Sequence, residues 1–410
     1  MSSGPSQVAS PWLAVIGIGE DGIAGLTAEA RRLIGGAGLV VGGRRHLALV
    51  EGLVKGEALS WPSPISDAFP AILARRGTLV AVLASGDPFC YGIGSVLADL
   101  VPAADMTVLP QPSAFSLAAA RLRWALQDVA TVSLHGRPLS RLIPLLQPDA
   151  RILALAWDAT TPGKIAALLS ARGFGASRVT VLERLGGPQE RVRTGVAASF
   201  ALQDIDSLVT IALTVIAAPD AGVIPLASGV DDGFFEHDGQ ITKREMRALA
   251  LSALSPRQGE LLWDVGAGSG SVAIEWMLCH PSLRAIAVEA RNDRAGRITR
   301  NAEALGVPEL AVVEGEAPQV LDGLAPPKAI FIGGGASREG LIARCWAALP
   351  AGGRLVAHAV TLEGEAALVA GQGLHGGELT RIGIERAEPI GRFQGWRPAR
   401  PVVQWRARKS

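Results

Sequence analysis

Asp264, Gly266, Gly268 and Gly270 alternate along "LLWDVGAGSGSVAIEWM", the stretch Leu261–Met277. The apolar run before them reads as a buried strand, and the run after them as a helix. Glycines let a backbone approach a ligand closely, and a helix N-terminus stabilises an anion. Such a turn can hold a nucleoside, with an acidic group of the same ligand at the helix start. A dinucleotide fingerprint G-x-G-x-x-G would put its third glycine at position 271, which is Ser271. About twenty residues on, "AIAVEAR" ends the next apolar run with Glu289. A carboxylate there can accept both hydrogen bonds of a ribose diol. "VVEGEAP" ends the run after that and offers Glu316 and Ala317 as contacts to a base.

These residues need elements to position them. The second half alternates short apolar runs ("LLWDVG", "RAIAVEA", "LAVVEG", "KAIFIGG", "GRLVAHAV") with helical patterns, the signature of a parallel sheet covered on both faces. Two last runs, "LTRIGIERAEPI" and "PVVQWRA", lack a full helix between them and read as an antiparallel pair at one sheet edge. The first half alternates less regularly and reads as two small α/β lobes with a cleft between them. "TPGKIAALLSARGF" is expected to be a helix, with Pro162 near its start and Gly173 past its end. "AAPDAGVIPLASGVDDGFF" has no periodicity, so a boundary is placed there, giving domains 1–222 and 223–410. The whole is α/β.

At 410 residues, and roughly 100–200 residues per domain, two or three domains are expected. A net charge of +1 gives no footprint for nucleic acid. Cys90, Cys279 and Cys345 form no CxxC pair, which points to a reducing cytoplasm. The opening "MSSGPSQVASPWLAVIGIGE" lacks a basic region and reads as a floppy tail, not a signal peptide. No uncharged run is long enough and free enough of proline to span a membrane. No histidine pair has metal-ligand spacing, so no metal is expected.

The D-x-G-x-G-x-G spacing, with Glu289 and Ala317 in register, resembles motif I of the class I S-adenosylmethionine (SAM) methyltransferases. That resemblance implies cofactor contacts from Asp264, Gly266, Ala267, Gly268, Ser269, Gly270, Glu289 and Ala317, and from Thr242 in "GQITKRE" folded over the SAM. In the first half, Gly17, Gly19 and Gly22 can be read as a dinucleotide turn, but the context is wrong for one. "ASGDPFCYGIG", "PQPSAFSLAAARL" and "VSLHGR", in that order, resemble the tetrapyrrole methylases, which also use SAM. Carried over by match, Gly86, Asp87, Pro88, Ser113 and Ala114 line a second SAM cleft. Many members have proline after the first G-x-G; Glu20 stands there, which puts the role of that loop in doubt.

Nearly the whole chain resembles the decarboxylating precorrin methyltransferases of aerobic cobalamin biosynthesis. The segments that carry this are "LVVGGRRHLAL", "SGDPFCYGIGS", "VSLHGRP", "FFEHDGQITKREMRAL", "IFIGGG", "GGRLVAHAVTLEGE" and "GRFQGWRPARPVVQW". The resemblance implies a two-lobed tetrapyrrole-methylase unit that methylates C5. It implies a Rossmann-like class I unit that methylates C15 and removes CO2 from the C12 acetate, with two SAM sites per chain. The partner is a small tetrapyrrole, with no nucleic acid and no membrane. A homo-oligomer is expected by the same likeness, with a tetramer through the second unit as one form of it.

Methyl transfer from a sulfonium needs alignment and exclusion of water more than an activated side chain. Carboxylates on the substrate favour arginine forks. Arg44 and Arg45 are candidates in the first half, and Arg392, Arg397 and Arg400 in the second. Phe393 and Trp396 can face a flat macrocycle, although core or edge-strand packing is the expectation for both. His237 and His358 are the candidate proton donors for the decarboxylation. Three alternatives stay open: another SAM target such as tRNA, a nicotinamide dehydrogenase, or one half serving only to hold substrate.

Overall fold

The computed structural model describes residues 11–410, so the tail expected before Pro11 lies outside the described residues. The chain divides into two compact units. The first comprises, within the described residues, 11–137 and Gln147–Gly222; the second comprises Pro138–Leu146 and Val223–Ser410.

The first unit holds two sheets. In one, β1 (Leu13–Ile18), β2 (Leu39–Gly42), β3 (Glu57–Ser60), β4 (Val80–Ser85) and β5 (Met106–Leu109) run parallel in the order β3-β2-β4-β1-β5. Alternate residues of a strand face opposite sides. Ala14, Ile16 and Ile18 accordingly enter one core, and Leu13 and Val15 another. The second sheet is mixed, with β6 (Ala130–Ser133), β7 (Arg151–Leu155), β8 (Arg178–Glu183), β9 (Arg191–Val196) and β10 (Val209–Thr214) in the order β6-β7-β10-β8-β9. The helix Thr161–Ala171 forms where its proline start and glycine stop predict it.

Two findings differ from the sequence pattern. The edge strands β3 and β9 carry mostly exposed or half-buried residues and so no apolar signature. Gly17, Gly19 and Gly22 do spell G-x-G-x-x-G, yet they build no dinucleotide turn. The third glycine starts a 3-10 turn, Gly22–Gly25, and the next helix begins only at Ala28.

The second unit is one seven-stranded sheet. Its strands are β11 (Leu261–Val265), β12 (Arg284–Glu289), β13 (Ala311–Glu314), β14 (Ala329–Ile332), β15 (Arg354–Ala359), β16 (Glu378–Ile382) and β19 (Val402–Arg408), in the order β13-β12-β11-β14-β15-β19-β16. β11 to β15 are parallel, and β16 and β19 are the antiparallel edge. The run "LTRIGIERAEPI" is not a single edge strand. It breaks after Ile382, and its second part forms a separate hairpin, β17 (Glu385–Ile390) with β18 (Phe393–Pro398). Core packing of Phe393 and Trp396 is therefore corrected: both sit on this hairpin, 66% and 73% exposed. A two-stranded ribbon has no second layer to cover them.

One buried cation secures the entrance to this sheet. Arg247, on the helix Arg244–Leu254, is fully buried. Its Nε donates to Glu275 Oε1 at 2.7 Å, and its Nη1 to Asp232 Oδ1 at 2.7 Å. Further bonds run to the carbonyls of Val230 and Thr242. Glu275 also accepts the Gly229 and Val230 N–H groups, at 2.7 and 3.0 Å. The segment before β11 is thus tied to the helix Ser271–Leu278 that follows it. Breaking a buried pair from one side costs about 3–5 kcal/mol. Arg247→Met is expected to lower the unfolding free energy of the second unit by that order, read as a lower urea midpoint, and adding Glu275→Gln should restore part of it. Equilibrium urea denaturation checks both.

Candidate active sites

In the second unit, Gly266, Gly268 and Gly270 all have positive φ, at 70°, 60° and 75°. A Cβ on Gly266 would lie 2.9 Å from the Gly334 backbone, and one on Gly270 would lie 2.6 Å from Ile298 Cγ2. Only glycine fits there. The loop brings the carboxyl ends of β11, β12, β13 and β14 around a cavity of about 210 Å3. Gly266, Glu289 and Ala317 line it, together with Arg294 and Arg338. Asp264, Ala267, Gly268, Ser269, Gly270 and Thr242 do not line it.

Glu289 is buried, and its two oxygens accept the Gly268 N–H at 2.8 Å and the Arg291 N–H at 3.1 Å. Those bonds aim the carboxylate, and each oxygen keeps a lone pair for a further donor. Ala317, rather than Glu316, faces the cavity; Glu316 is paired outside it with Arg338. Arg338 also donates to the Ala317 carbonyl at 3.2 Å.

Asn301 is a positioning residue that periodicity did not reveal. Buried, it donates from Nδ2 to the carbonyls of Glu236 and Ser269, at 3.0 and 2.9 Å, and accepts the Glu236 N–H at 2.8 Å. It pins the segment carrying His237 to the glycine loop. A Cβ on Gly268 would lie 3.4 Å from the Gln240 carbonyl, so that segment passes close over the loop. Asp238 anchors it again, accepting from Arg294 at 2.9 Å, and the two arginines beside it hold its carboxyl well below the usual range.

His237 is exposed and accepts the Gly239 N–H at Nδ1, 3.1 Å. His358 is near the end of β15, buried, with Nε2 2.9 Å from Gln404 Oε1 and its ring edge-on to Phe331. Burial lowers its pKa, partly offset by Gln404. Neither histidine lines the cavity. Arg397 pairs with Glu388 within the hairpin at 2.9 Å, while Arg392 lies over the Phe393 ring.

The residues fit a SAM molecule. Of the lining residues, Glu289 keeps acceptor capacity on each oxygen for a ribose diol, and Gly266 lets the backbone come close to a nucleoside.

In the first unit, a cavity of about 470 Å3 opens at the carboxyl ends of β1 and β4 and is closed by residues of β7, β8 and β10. Gly86, Ser113 and Ala114 line it; Asp87 and Pro88 do not. Asp87 instead accepts the Phe89 N–H at 2.8 Å, shaping the turn. Gly86 has φ 54°, and a Cβ there would lie 2.7 Å from the Pro112 carbonyl. Ser113 caps the helix Ala114–Leu122 by accepting the Ser116 N–H. This again places a helix start and a glycine at parallel strand ends, where α/β sheets bind ligands.

Of the two N-terminal arginines, Arg44 is exposed away from the cavity wall and Arg45 lines it. Glu20, the departure from proline, accepts from Arg45 and from Arg184, the latter at 3.3 Å. Arg45 also donates to Ser85 Oγ at 2.9 Å. Burial, with the Arg45 charge adding to it, lowers the pKa of His46 to about 4.

A glycine loop at the strand ends of a 3-2-1-4-5-7-6 sheet, joined to a two-sheet unit with its own loop site, defines a pair of methyltransferase units. Known proteins agree with this division. Residues 13–201 match the tetrapyrrole (corrin/porphyrin) methylases, and residues 233–409 match the precorrin methyltransferase domain. The precorrin-6Y C(5,15)-methyltransferase (decarboxylating) of Sinorhizobium sp is 55% identical over 99% of this chain and 98% of its own. Its namesake from Mycobacterium tuberculosis (strain CDC 1551 / Oshkosh) is 43% identical over 96% of this chain and 99% of its own. The solved C-terminal domain of precorrin-6Y C5,15-methyltransferase from Rhodobacter capsulatus is 48% identical. It covers 45% of this chain and all of its own, with a TM-score of 0.43. The chain belongs to the family of decarboxylating precorrin-6Y C(5,15)-methyltransferases.

Burial pushes the Asp264 carboxyl up to about 7; the Ala273 N–H opposes this and the Glu289 charge adds to it. The unfolded chain's Asp264 releases its proton first, near 3.8. Its contribution to stability is therefore complete below that pH and is lost as pH rises to about 7. Asp264→Asn is expected to gain stability relative to the parent across that window and to level off above it. Urea midpoints measured across the pH range check the sign.

Proposed function

We propose that this chain methylates C5 and C15 of precorrin-6Y and removes CO2 from the C12 acetate to give precorrin-8X, using two SAM molecules. The observation that carries this reading is identity of 55% along nearly the whole of both chains. Separate loop sites in the two units support a division of labour: C5 in the first, C15 and decarboxylation in the second.

SAM supplies an electrophilic methyl on a sulfonium. In the second unit Glu289 would hold the ribose hydroxyls, and Ala317 would give the base an apolar wall. The start of the helix Ser271–Leu278 would suit the amino-acid carboxylate, and Thr242, held through its carbonyl by Arg247, would close the loop side. In the first unit Gly86, Ser113 and Ala114, which line the cavity, would form the corresponding donor site, with Asp87 and Pro88 in the turn beside Gly86. The electron-rich ring carbon is itself the nucleophile, so the residues act by alignment and by excluding water. Loss of CO2 leaves an electron pair that the conjugated ring shares until a proton replaces the lost group. His237, exposed on the segment over Gly268, is better placed to deliver it than His358, which is buried, bonded to Gln404 and lowered in pKa by that burial. Arg392 and Arg397 on the hairpin meet substrate carboxylates.

Three free cysteines support a cytoplasmic setting. The exposed Ile390, Phe393 and Trp396 support a homo-oligomer, which light scattering would read directly. Among the described residues no helix is long and apolar enough to cross a membrane.

Equilibrium dialysis should give two SAM per chain for the parent; a single site would sink the two-centre reading. Glu289→Ala should lose one of them, weakening that site about 10–100-fold. Incubated with precorrin-6Y, the same variant should add one methyl and release no CO2, as followed by product mass.

A further inference from the structure

The charged side chains that line the first unit's cavity are Glu20, Arg45 and Arg137. They do not have equal freedom. Arg45 is paired with Glu20 and hydrogen-bonded to Ser85. Arg137 is different: among the described residues its guanidinium has no hydrogen-bond or ion-pair partner, and it rests 5.3 Å above the centre of the Tyr91 ring. A cation parked on an aromatic face is weakly held, so it is available to a carboxylate without a prior ion pair being broken.

The surroundings of Arg137 narrow the ligand. Tyr91 has φ 56°, rare for a residue with a side chain. Its ring stands edge-on to Phe115, half exposed at the cavity. Trp157 is also on the wall, 58% exposed, with its ring beside His135 at 6.3 Å. Large exposed aromatics around a cavity suit a flat, conjugated ligand. An adjacent free guanidinium suits a carboxylate on its edge, which it can fork.

We infer that Arg137 is the carboxylate anchor, and Tyr91 with Trp157 the ring-facing surface, for the tetrapyrrole at the C5 site. This rests on the proposed function and assigns the substrate-binding role to Arg137, not to Arg45. Glu20 explains the difference: it pairs with Arg45, while Arg137 has no carboxylate partner among the described residues.

The test separates binding from chemistry on the full chain. Arg137→Gln should raise KM for precorrin-6Y in C5 methylation about 10–100-fold, with kcat within about threefold. Arg137→Lys should fall between. Tyr91 is the only tyrosine of the chain, so fluorotyrosine labelling gives one reporter at this position. Its 19F resonance should move on titration with uroporphyrin, a flat polycarboxylated tetrapyrrole, and need at least tenfold more of it in Arg137→Gln. A wild-type enzyme that adds no methyl at C5 overturns the functional reading. Normal C5 methylation with a KM unmoved by Arg137→Gln overturns the inference alone. A 19F signal that stays fixed at saturating uroporphyrin removes Tyr91 from the ring-facing surface.

Discussion

A guanidinium taken wholly out of water must be matched on every side, and Arg247 is matched by Glu275, Asp232 and two carbonyls. Satisfying that one cation draws together the segment before β11, the helix after it and the stretch around Thr242. The glycine loop then has a fixed frame on both flanks. Asn301 completes the frame from the next helix, where an amide satisfies the backbone of both the Glu236 segment and Ser269. The geometry of the second cavity follows from polar groups that have no water to turn to.

The first unit uses the same constraint differently. Glu20, with its side chain only 10% exposed, has two arginines to satisfy it. It fixes Arg45 against Ser85 and His46, so that wall is rigid and already neutral. Arg137, unpaired among the described residues, lies on the aromatic side instead. The two sites therefore differ in kind as well as in size. The larger one offers flat apolar rings and one open charge, and the smaller one is built from strand ends, glycines and an aimed carboxylate.

Much of this was legible locally. The alternating glycines announce positive φ because residues with a side chain rarely adopt it, and the strands β11, β12, β14 and β15 announce themselves by apolar runs buried on both faces. The short edge strands β3 and β9 do not, because an edge strand half open to solvent needs no apolar pattern. The hairpin β17–β18 was hidden for a related reason. Its Phe393 and Trp396 read in sequence as core or edge-strand residues, but among the described residues no layer covers them.

The sequence by itself determined where backbone must approach a ligand and which family the loops belong to, because backbone conformation and strand–helix alternation are short-range properties. Only the tertiary structure decided which side chains are available there. Glu20 reads in sequence as a missing proline; its partner Arg184 is 164 residues away. Arg45 and Arg137 look alike on the page, and what separates them is a carboxylate brought beside one and not the other. Pairing of that kind depends on neighbours distant in the chain, so it is settled by folding and not by spacing.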